Sequence, residues 1–122
     1  MMTRKNYTGL VGVYRVLSEL LTRRIYGSPV IVDDGCDILL NDGKRIQVRT
    51  KHVFSTGNCS YFRFAFKLEE NCDFFVLWGI TPKSNYFYIV PRKDILGKTS
   101  LNIKLRNTLS GLEYLDKWEY LK

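Results

Sequence analysis

The sequence predicts an α/β fold in which an N-terminal helix and a C-terminal helix flank a central mixed β-sheet. Three observations support this fold class. Near both ends of the chain, apolar residues recur every three or four positions, as they do on the buried side of a helix. Asp42-Gly43 separates two short β-rich runs, which is a strong signal for a β-hairpin. Phe74–Ile80 is nearly all apolar, as expected for a strand covered on both faces.

The N-terminal helix is predicted from one apolar stripe. Thr8 is its expected N-cap, and Gly27 is expected to close it. After Pro29, Val30–Val32 predicts a short strand that leads into the hairpin. The stripe consists of Leu10, Val13, Tyr14, Leu17, Leu20, Leu21 and Ile25.

The rest of the chain predicts more strands and a second helix. His52–Ser60 is rich in Ser, Thr, Gly and Asn and predicts a loop, and Glu69–Asn71 predicts a turn. Pro91–Leu96 predicts about one helical turn, and the apolar spacing in Leu112–Leu121 predicts the C-terminal helix. The expected strands are Tyr61–Leu68, Phe74–Ile80, Tyr86–Val90 and Leu101–Leu105.

Length and composition indicate one globular domain that spans residues 1–122, since 45% of the residues are apolar and no internal repeat interrupts the chain. The three cysteines form no CxxC pair, which argues against a zinc site and a disulfide framework and fits a reducing cytoplasm. No stretch approaches the ~20 apolar residues of a membrane span, so we expect a soluble protein without a membrane partner.

The charge balance allows a polyanionic partner. Nineteen basic residues against twelve acidic ones give a net charge of +7, spread over both halves of the chain. Charge alone equally allows a basic protein that has no such partner. The net charge therefore leaves nucleic acid as one of two alternatives.

The hairpin pairs Cys36–Leu40 with Arg45–Thr50, and side-chain alternation sets its register. A two-residue turn at Asp42-Gly43 would place Asp37 opposite Val48 and mix polar with apolar side chains. The pattern therefore requires an odd loop, such as Asp42-Gly43-Lys44, or a bulge, and we take the odd loop. In that register Asp37, Gln47 and Arg49 share one face, and the opposite, buried face carries Ile38, Leu40, Ile46 and Val48.

The polar face of this hairpin has the chemistry of a phosphodiester-hydrolysing site. Asp37 and a carbonyl oxygen could ligate Mg²⁺, which prefers oxygen ligands. Arg49 could contact a phosphate, and a metal there would activate water. Two simpler interpretations stay open. Asp37 could cap a turn after Asp34-Gly35, and Gln47 and Arg49 could be a solvated strand face.

Five segments occur in an order that resembles the PD-(D/E)XK nuclease superfamily, particularly its small archaeal Holliday-junction-resolvase-like and intron-homing branches. The resemblance covers roughly Thr8 to Pro91 and implies a restriction-endonuclease-like fold. The segments are Gly9–Val16 with Glu19-Leu20, Asp37-Ile38-Leu39, Ile46–Thr50, Asp73–Val76 and Tyr88–Pro91.

The resemblance implies a catalytic site of Asp37, Gln47 and Arg49. Asp37, Gln47 and the carbonyl of Val48 would ligate Mg²⁺, with Mn²⁺ as an alternative, and Arg49 would occupy the place of the catalytic lysine. The chain departs from the family pattern at two positions. Val13 stands where the helix usually carries Glu, and arginine replaces lysine at position 49. Arginine keeps the charge but cannot exchange a proton at accessible pH.

The resemblance also implies partners. Double-stranded or branched DNA is the expected substrate, and Arg4, Lys5, Lys51 and His52 are candidate contacts to nucleic acid. Arg4 and Lys5 could instead belong to a solvated basic surface, and His52 could be a surface histidine. Lys51 could replace Arg49 functionally. We expect a homodimer, because one domain offers one active centre and cutting both strands of a duplex commonly needs two.

Three classes of function follow. The first is a metal-dependent DNA endonuclease, and the alternative is a catalytically degenerate nuclease-fold protein that binds nucleic acid or a partner without cleaving. The third is a basic protein-interaction module. Magnesium-dependent cleavage separates the first class from the second, and salt-dependent DNA retention separates both from the third.

Overall fold

The computed structural model describes residues 4–30, 36–57, 59–66, 71–105 and 110–122, and for residues 4–6 it describes the backbone only. One α-helix precedes eight strands, and short 3₁₀ helices form at Arg92–Ile95 and Trp118–Leu121. The helix and strands are α1 (Arg4–Thr22), β1 (Gly27–Pro29), β2 (Ile38–Leu40), β3 (Arg45–His52), β4 (Phe54–Thr56), β5 (Cys59–Ala65), β6 (Phe74–Ile80), β7 (Asn85–Pro91) and β8 (Ser100–Lys104).

The strands form two sheets. The first sheet has five strands in the order β1-β2-β3-β6-β7, and the second has three in the order β4-β5-β8. In the first sheet β3 and β6 are parallel and every other neighbouring pair is antiparallel, so the expected mixed sheet is confirmed. The second sheet is entirely antiparallel, and the expectation of one sheet was too simple.

A helix-side core joins α1 to one face of the first sheet. Gly12 permits the close approach, since a Cβ at this position would overlap Oγ1 of Thr50 on β3. The buried side chains of this core are Val16, Leu20, Ile25, Ile38, Leu40, Ile46, Val48, Val76, Trp78, Phe87, Ile89, Trp118 and Leu121.

A sheet-side core fills the space between the second sheet and the other face of the first. Phe62 and Phe64 of β5 pack against Tyr88 of β7, with ring centroids 6.4 and 6.5 Å apart. β6 is therefore covered on both faces and lies between β3 and β7, as its apolar sequence predicted. The other buried members of the sheet-side core are Phe66, Cys72, Phe75, Leu77, Val90, Ile95 and Ile103.

The ends of α1 differ from the sequence prediction. The helix begins at Arg4, so Thr8 lies inside it and is not its N-cap. It ends at Thr22, where Arg24 adopts a left-handed φ of 62° in place of the expected glycine. Gly27 instead begins β1 and pairs with Leu40, and a Cβ on Gly27 would lie 2.8 Å from the carbonyl oxygen of Leu39. Close approach of two strands, and not helix termination, requires this glycine.

A strand forms at Gly27–Pro29, directly before the strand expected at Val30–Val32, and Val30 itself is not part of it. β1 is an edge strand of its sheet, which is a position that tolerates proline. Val30 follows it and donates its N–H to the carbonyl of Asp37 at 2.9 Å. Ile31 and Val32 lie outside the described residues.

The loop expected at His52–Ser60 is wrong, because this segment forms a second hairpin. β3 continues to His52, and β4 pairs with the start of β5 around a turn at Gly57, whose φ is 55°. Its Ser, Thr and Gly residues resemble a loop in composition, and β4 is exposed along its whole length, so no apolar alternation marks it as a strand. Residues 67–70 lie outside the described part of the chain. They include the end of the strand expected at residues 61–68 and most of the turn expected at residues 69–71.

The expected C-terminal helix is also wrong. Leu115 forms an isolated bridge to Tyr88, and Asp116 has a left-handed φ of 53° that a continuing helix cannot accommodate. Leu115 packs against the sheet-side core, whereas Trp118 and Leu121 belong to the helix-side core. One straight helix could not serve both faces of the sheet, so the segment pairs briefly with β7 and then crosses over.

The remaining expectations agree with the structure. β6 has the predicted bounds, β7 extends the predicted strand by one residue at each end, and the turn after Pro91 is a 3₁₀ helix. β8 is an edge strand, as expected. Among the described residues, no helix is both long and apolar enough to cross a membrane.

Candidate active site

The hairpin formed by β2 and β3 has the odd loop that the polar pattern requires. Ile38 pairs with Ile46, and the N–H of Leu40 donates to the carbonyl of Lys44 at 2.9 Å. Three residues, Asn41-Asp42-Gly43, therefore form the loop, one position earlier than the loop we named. Gly43 adopts a φ of 96°, which suits glycine at this turn.

Asp37 is held at the point where the β2–β3 pairing ends. Its N–H donates to the carbonyl of Ile46 at 2.8 Å, and its Oδ2 accepts the N–H of Val48 at 2.8 Å. These two bonds place the residue level with Gln47. The backbone N–H of Val48 lies beyond the paired part of β2 and needs an acceptor. The Asp37 carboxylate accepts it in place of a backbone carbonyl.

The two faces of the hairpin separate as the alternation predicted. Gln47 and Arg49 point to the other side of the sheet from the apolar residues of β3, level with Phe75 and Leu77 of the sheet-side core. The apolar face is buried, with exposures of 0% for Ile38, 3% for Leu40, 0% for Ile46 and 7% for Val48.

Gln47 has a buried polar atom without a partner. Its Oε1 is inaccessible to solvent and accepts no hydrogen bond from any of the described residues. A buried amide oxygen in this condition carries an unrecovered desolvation cost of about 1–3 kcal/mol. Such an atom is a candidate ligand for a metal ion.

Arg49 connects the hairpin to the second sheet. Its Nη1 donates to the carbonyl of Val48 at 3.1 Å, and its Nε donates to the carbonyl of Ala65 at 3.4 Å. Burial lowers the pKa of this guanidinium, and the charge of Asp37 opposes that shift. The side chain stays cationic at any accessible pH, so it can bind a phosphate but cannot act as a base.

Cys72 lies near both Arg49 and Arg92, and the sequence analysis missed Cys72 and Arg92. Burial raises the pKa of the Cys72 thiol to about 11, while the charges of Arg92 and Arg49 oppose the shift. Arg92 follows directly after β7, and its N–H donates to the carbonyl of Asp73 at 3.0 Å. The sequence signal for Arg92 was a cation directly after the proline that ends β7.

The candidate nucleic-acid contacts lie in two places. Lys51 and His52 are exposed at the end of β3, and alternation puts Lys51 on the same face as Arg49. Arg4 and Lys5 belong to the first turn of α1, and their side chains lie outside what the structure describes. The structure thus joins Lys51 to the site by its strand.

Val13 does not face the site. It packs against the helix-side core, on the opposite side of the first sheet from Gln47 and Arg49. A carboxylate introduced here would enter an apolar core and would not approach Asp37.

The oxygen atoms at the site fit a hard divalent cation. Asp37 supplies a carboxylate, Gln47 an amide oxygen that accepts no hydrogen bond from the described residues, and Val48 a carbonyl that accepts one from Arg49. Among the described residues, no group of three or more His, Cys, Asp or Glu side chains could hold a metal. A metal at this site would therefore depend on one carboxylate and neutral oxygen donors.

Comparison with known proteins shows a relation in structure. No family model matches the chain, and no curated protein matches it. Its structure matches that of the bacterial homing endonuclease I-Ssp6803I with a TM-score of 0.69, over 98% of this chain and 93% of the other. The two chains share a fold. At 13% sequence identity the likeness concerns the fold alone, and that fold is nuclease-like.

Proposed function

We propose that the protein is a metal-dependent DNA endonuclease of the PD-(D/E)XK type that hydrolyses phosphodiester bonds at Asp37, Gln47 and Arg49. The observation that carries the proposal is the unpartnered, buried Oε1 of Gln47 beside a fixed carboxylate and a fixed guanidinium. The fold shared with I-Ssp6803I supports it. The proposal treats residues 1–122 as one domain that works in the cytoplasm.

Asp37, Gln47 and the carbonyl of Val48 would hold Mg²⁺ or Mn²⁺. The metal, when bound, would supply a water of lowered pKa and would neutralise charge on the phosphate. Asp37 is oriented for this role by the Val48 N–H, which fixes one carboxylate oxygen. Gln47 would contribute a neutral ligand, and its buried Oε1 is inaccessible to solvent.

Arg49 would bind the phosphate that is cleaved. Its guanidinium is positioned by two carbonyls, from Val48 and Ala65, so little side-chain freedom is lost when a phosphate binds. Because arginine cannot take a proton from water, the proton must leave through solvent or through another group. Lys51 is the alternative cation for binding the phosphate, since it lies two residues further along the same face.

Double-stranded or branched DNA would approach the site along its cationic surroundings. The exposed Lys51 and His52 are the proposed contacts nearest to Arg49, and Arg4 and Lys5 are proposed contacts on α1. Binding through phosphates should weaken steeply as salt is raised. We propose a homodimer, which would provide two sites for the two strands.

A second candidate is a nuclease-fold protein that binds DNA without cleaving it. Three observations favour it: the single carboxylate among the oxygen donors identified at the site, the arginine at position 49, and the orientation of Val13 away from the site. In that case the net charge of +7 serves binding only.

One experiment separates the two candidates. Cleavage of linear, branched and single-stranded DNA is measured with Mg²⁺ and with Mn²⁺ for the wild type and Asp37→Ala, together with DNA affinity. Metal-dependent cleavage that Asp37→Ala abolishes supports the endonuclease. Absence of cleavage by the wild type in Mn²⁺, with DNA affinity equal in both proteins, supports the binding protein, because Asp37→Ala removes no phosphate-binding cation.

A further inference from the structure

The solvent side of α1 exposes an unusual amount of apolar surface. The helix buries Val16 and Leu20 completely in the helix-side core. It nevertheless leaves five large apolar side chains open to solvent. We call them the outer stripe: Tyr7 at 55% exposure, Leu10 at 43%, Val11 at 57%, Tyr14 at 54% and Leu21 at 45%.

The outer stripe is one continuous face of the helix. Its members recur at spacings of three, four or seven residues, and these spacings place side chains on the same side of a helix. The exposed Ser18 lies on this side between Tyr14 and Leu21. At about 100° per residue they span an arc of roughly 100°, whose centre lies roughly 140° from that of the buried side. The partly buried Val13 and Leu17 lie between the two, so the stripe adjoins the surface that packs on the sheet and extends it into solvent.

The helix has a polar side in addition, so the outer stripe is not its ordinary solvated face. Thr8, Arg15 and Glu19 lie on that polar side, where Arg15 and Glu19 form an ion pair at 2.6 Å. A helix packed once against a sheet needs only one apolar face. The apolar surface that α1 exposes beyond its packed face calls for a second partner.

The size of the outer stripe matches one half of a small dimer interface. Five side chains about half exposed offer roughly 450 Å² per copy, within the ~300–600 Å² of the largest, often functional, patch on a monomer. Two copies together would bury roughly 900 Å² from these side chains alone, near the ~1,000 Å² expected of a specific interface.

We infer that the outer stripe is the surface through which two copies of this chain associate, with the two α1 helices antiparallel across a two-fold axis near Tyr14. Tyr7 and Leu21 are equidistant from Tyr14 along the helix, so this axis brings Tyr7 opposite the partner's Leu21. The stripe is self-complementary, as a two-fold interface must be.

The outer stripe would be the interface of the homodimer in the proposed function, and the biological purpose of the interface rests on that function. α1 covers the face of the first sheet opposite to Gln47 and Arg49. Association through the outer stripe would therefore leave both candidate active sites uncovered. The interface itself does not depend on cleavage.

The first test measures mass in solution. We expect the wild type to have twice the 14.3 kDa of one chain by light scattering. Leu10→Glu and Tyr14→Glu should weaken self-association by about a hundredfold or more, since they place a charge in the centre of the interface. Glutamate favours helices, so both variants should keep the wild-type circular dichroism.

Leu112→Glu is the matched control, because Leu112 is exposed to a similar degree, 49%, but lies in a turn away from α1. It should remain a dimer. A monomeric wild type at about 100 μM, well above a micromolar Kd, would overturn the inference, as would α1 variants that stay as dimeric as this control.

The second test determines orientation by cross-linking in a Cys59→Ser background, which removes the exposed cysteine and leaves the buried Cys36 and Cys72. Tyr14→Cys lies near the axis and should form an intermolecular disulfide. Tyr7→Cys should not, because two such residues would be about 21 Å apart along antiparallel helices. Equal cross-linking of both variants would overturn the antiparallel arrangement.

The two proposals can fail separately. A dimer that depends on the outer stripe but cleaves no DNA would reject the endonuclease and keep the interface. Metal-dependent cleavage by a wild type that remains monomeric with and without DNA would keep the endonuclease and reject the interface.

Discussion

The two faces of β3 share one strand and differ in everything that surrounds them. Ile46 and Val48 point to α1 and are buried among apolar side chains. Gln47 and Arg49 point to the second sheet, where one has an unpartnered buried oxygen and the other a pKa lowered by burial. Burial of Ile46 and Val48 lowers the free energy of the fold, whereas the burial of Gln47 and Arg49 maintains polar groups at a cost. A cost of that kind is typical of a functional site.

The apolar face should give the largest effect on stability. Ile46→Ala is expected to lower the free energy of unfolding by about 2–5 kcal/mol, because Ile46 is fully buried and its removal leaves a cavity. Urea denaturation measures this value. Leu39→Ala, on the same hairpin but 43% exposed, is the control and should cost less than about 1 kcal/mol. Equal costs for the two variants would show that the faces are not distinct.

The polar face should give the largest effect on activity. Asp37→Asn is expected to reduce Mg²⁺-dependent cleavage by at least about a hundredfold, since it removes the carboxylate charge but keeps an oxygen that can accept the Val48 N–H. Its unfolding free energy should change by less than about 1 kcal/mol. Asp42→Asn is the matched control, because Asp42 is an exposed carboxylate in the loop of the same hairpin. Full activity of Asp37→Asn would exclude the metal mechanism.

The β2–β3 hairpin was predictable because its signals are local. The period of two and the Asp42-Gly43 turn determine which residues share a face. The side-chain chemistry of Asp37 indicated a metal ligand, but its hydrogen bond to Val48 could not be predicted, because that bond depends on where the strand pairing ends. Gly12 shows the same limit: its spacing is visible in sequence, but its contact with Thr50 requires the packed helix.

Two other regions could not be predicted for reasons of long-range packing. Leu115 and Trp118 have helical spacing, yet they serve cores on opposite faces of the sheet, and only the fold reveals that division. Cys72 is far in sequence from both Arg49 and Arg92, and tertiary structure brings both cations close to it. Local patterns therefore predicted β3 correctly and could not predict what surrounds its polar face.

A smaller effect distinguishes function from stability at Gln47. Gln47→Met keeps the length of the side chain and removes the unpartnered oxygen, so without metal the variant should be more stable by about 1 kcal/mol. Mg²⁺ should raise the Tm of the wild type and raise that of the variant less. Thermal unfolding with and without Mg²⁺ measures both quantities. A variant less stable than the wild type in the absence of metal would indicate that this oxygen has a partner in solution.

The smallest expected effect, and the one that best separates the two candidate functions, is at Arg49. Arg49→Lys keeps the positive charge but replaces several donors by one compact ammonium group, so the contacts to Val48 and Ala65 cannot both persist. The unfolding free energy should fall by less than about 1 kcal/mol.

If the protein is a nuclease, cleavage by Arg49→Lys should be preserved or raised, because lysine can exchange a proton whereas arginine cannot. A plot of cleavage rate against pH provides the check: only the lysine variant should gain a titration that the wild type lacks. Lys51→Arg is the control for the neighbouring cation on the same face, and it should leave this profile unchanged. If neither protein cleaves while both bind DNA with equal salt dependence, the polar face of β3 binds phosphate without cleaving it, and the comparison between its two faces becomes one of stability against binding.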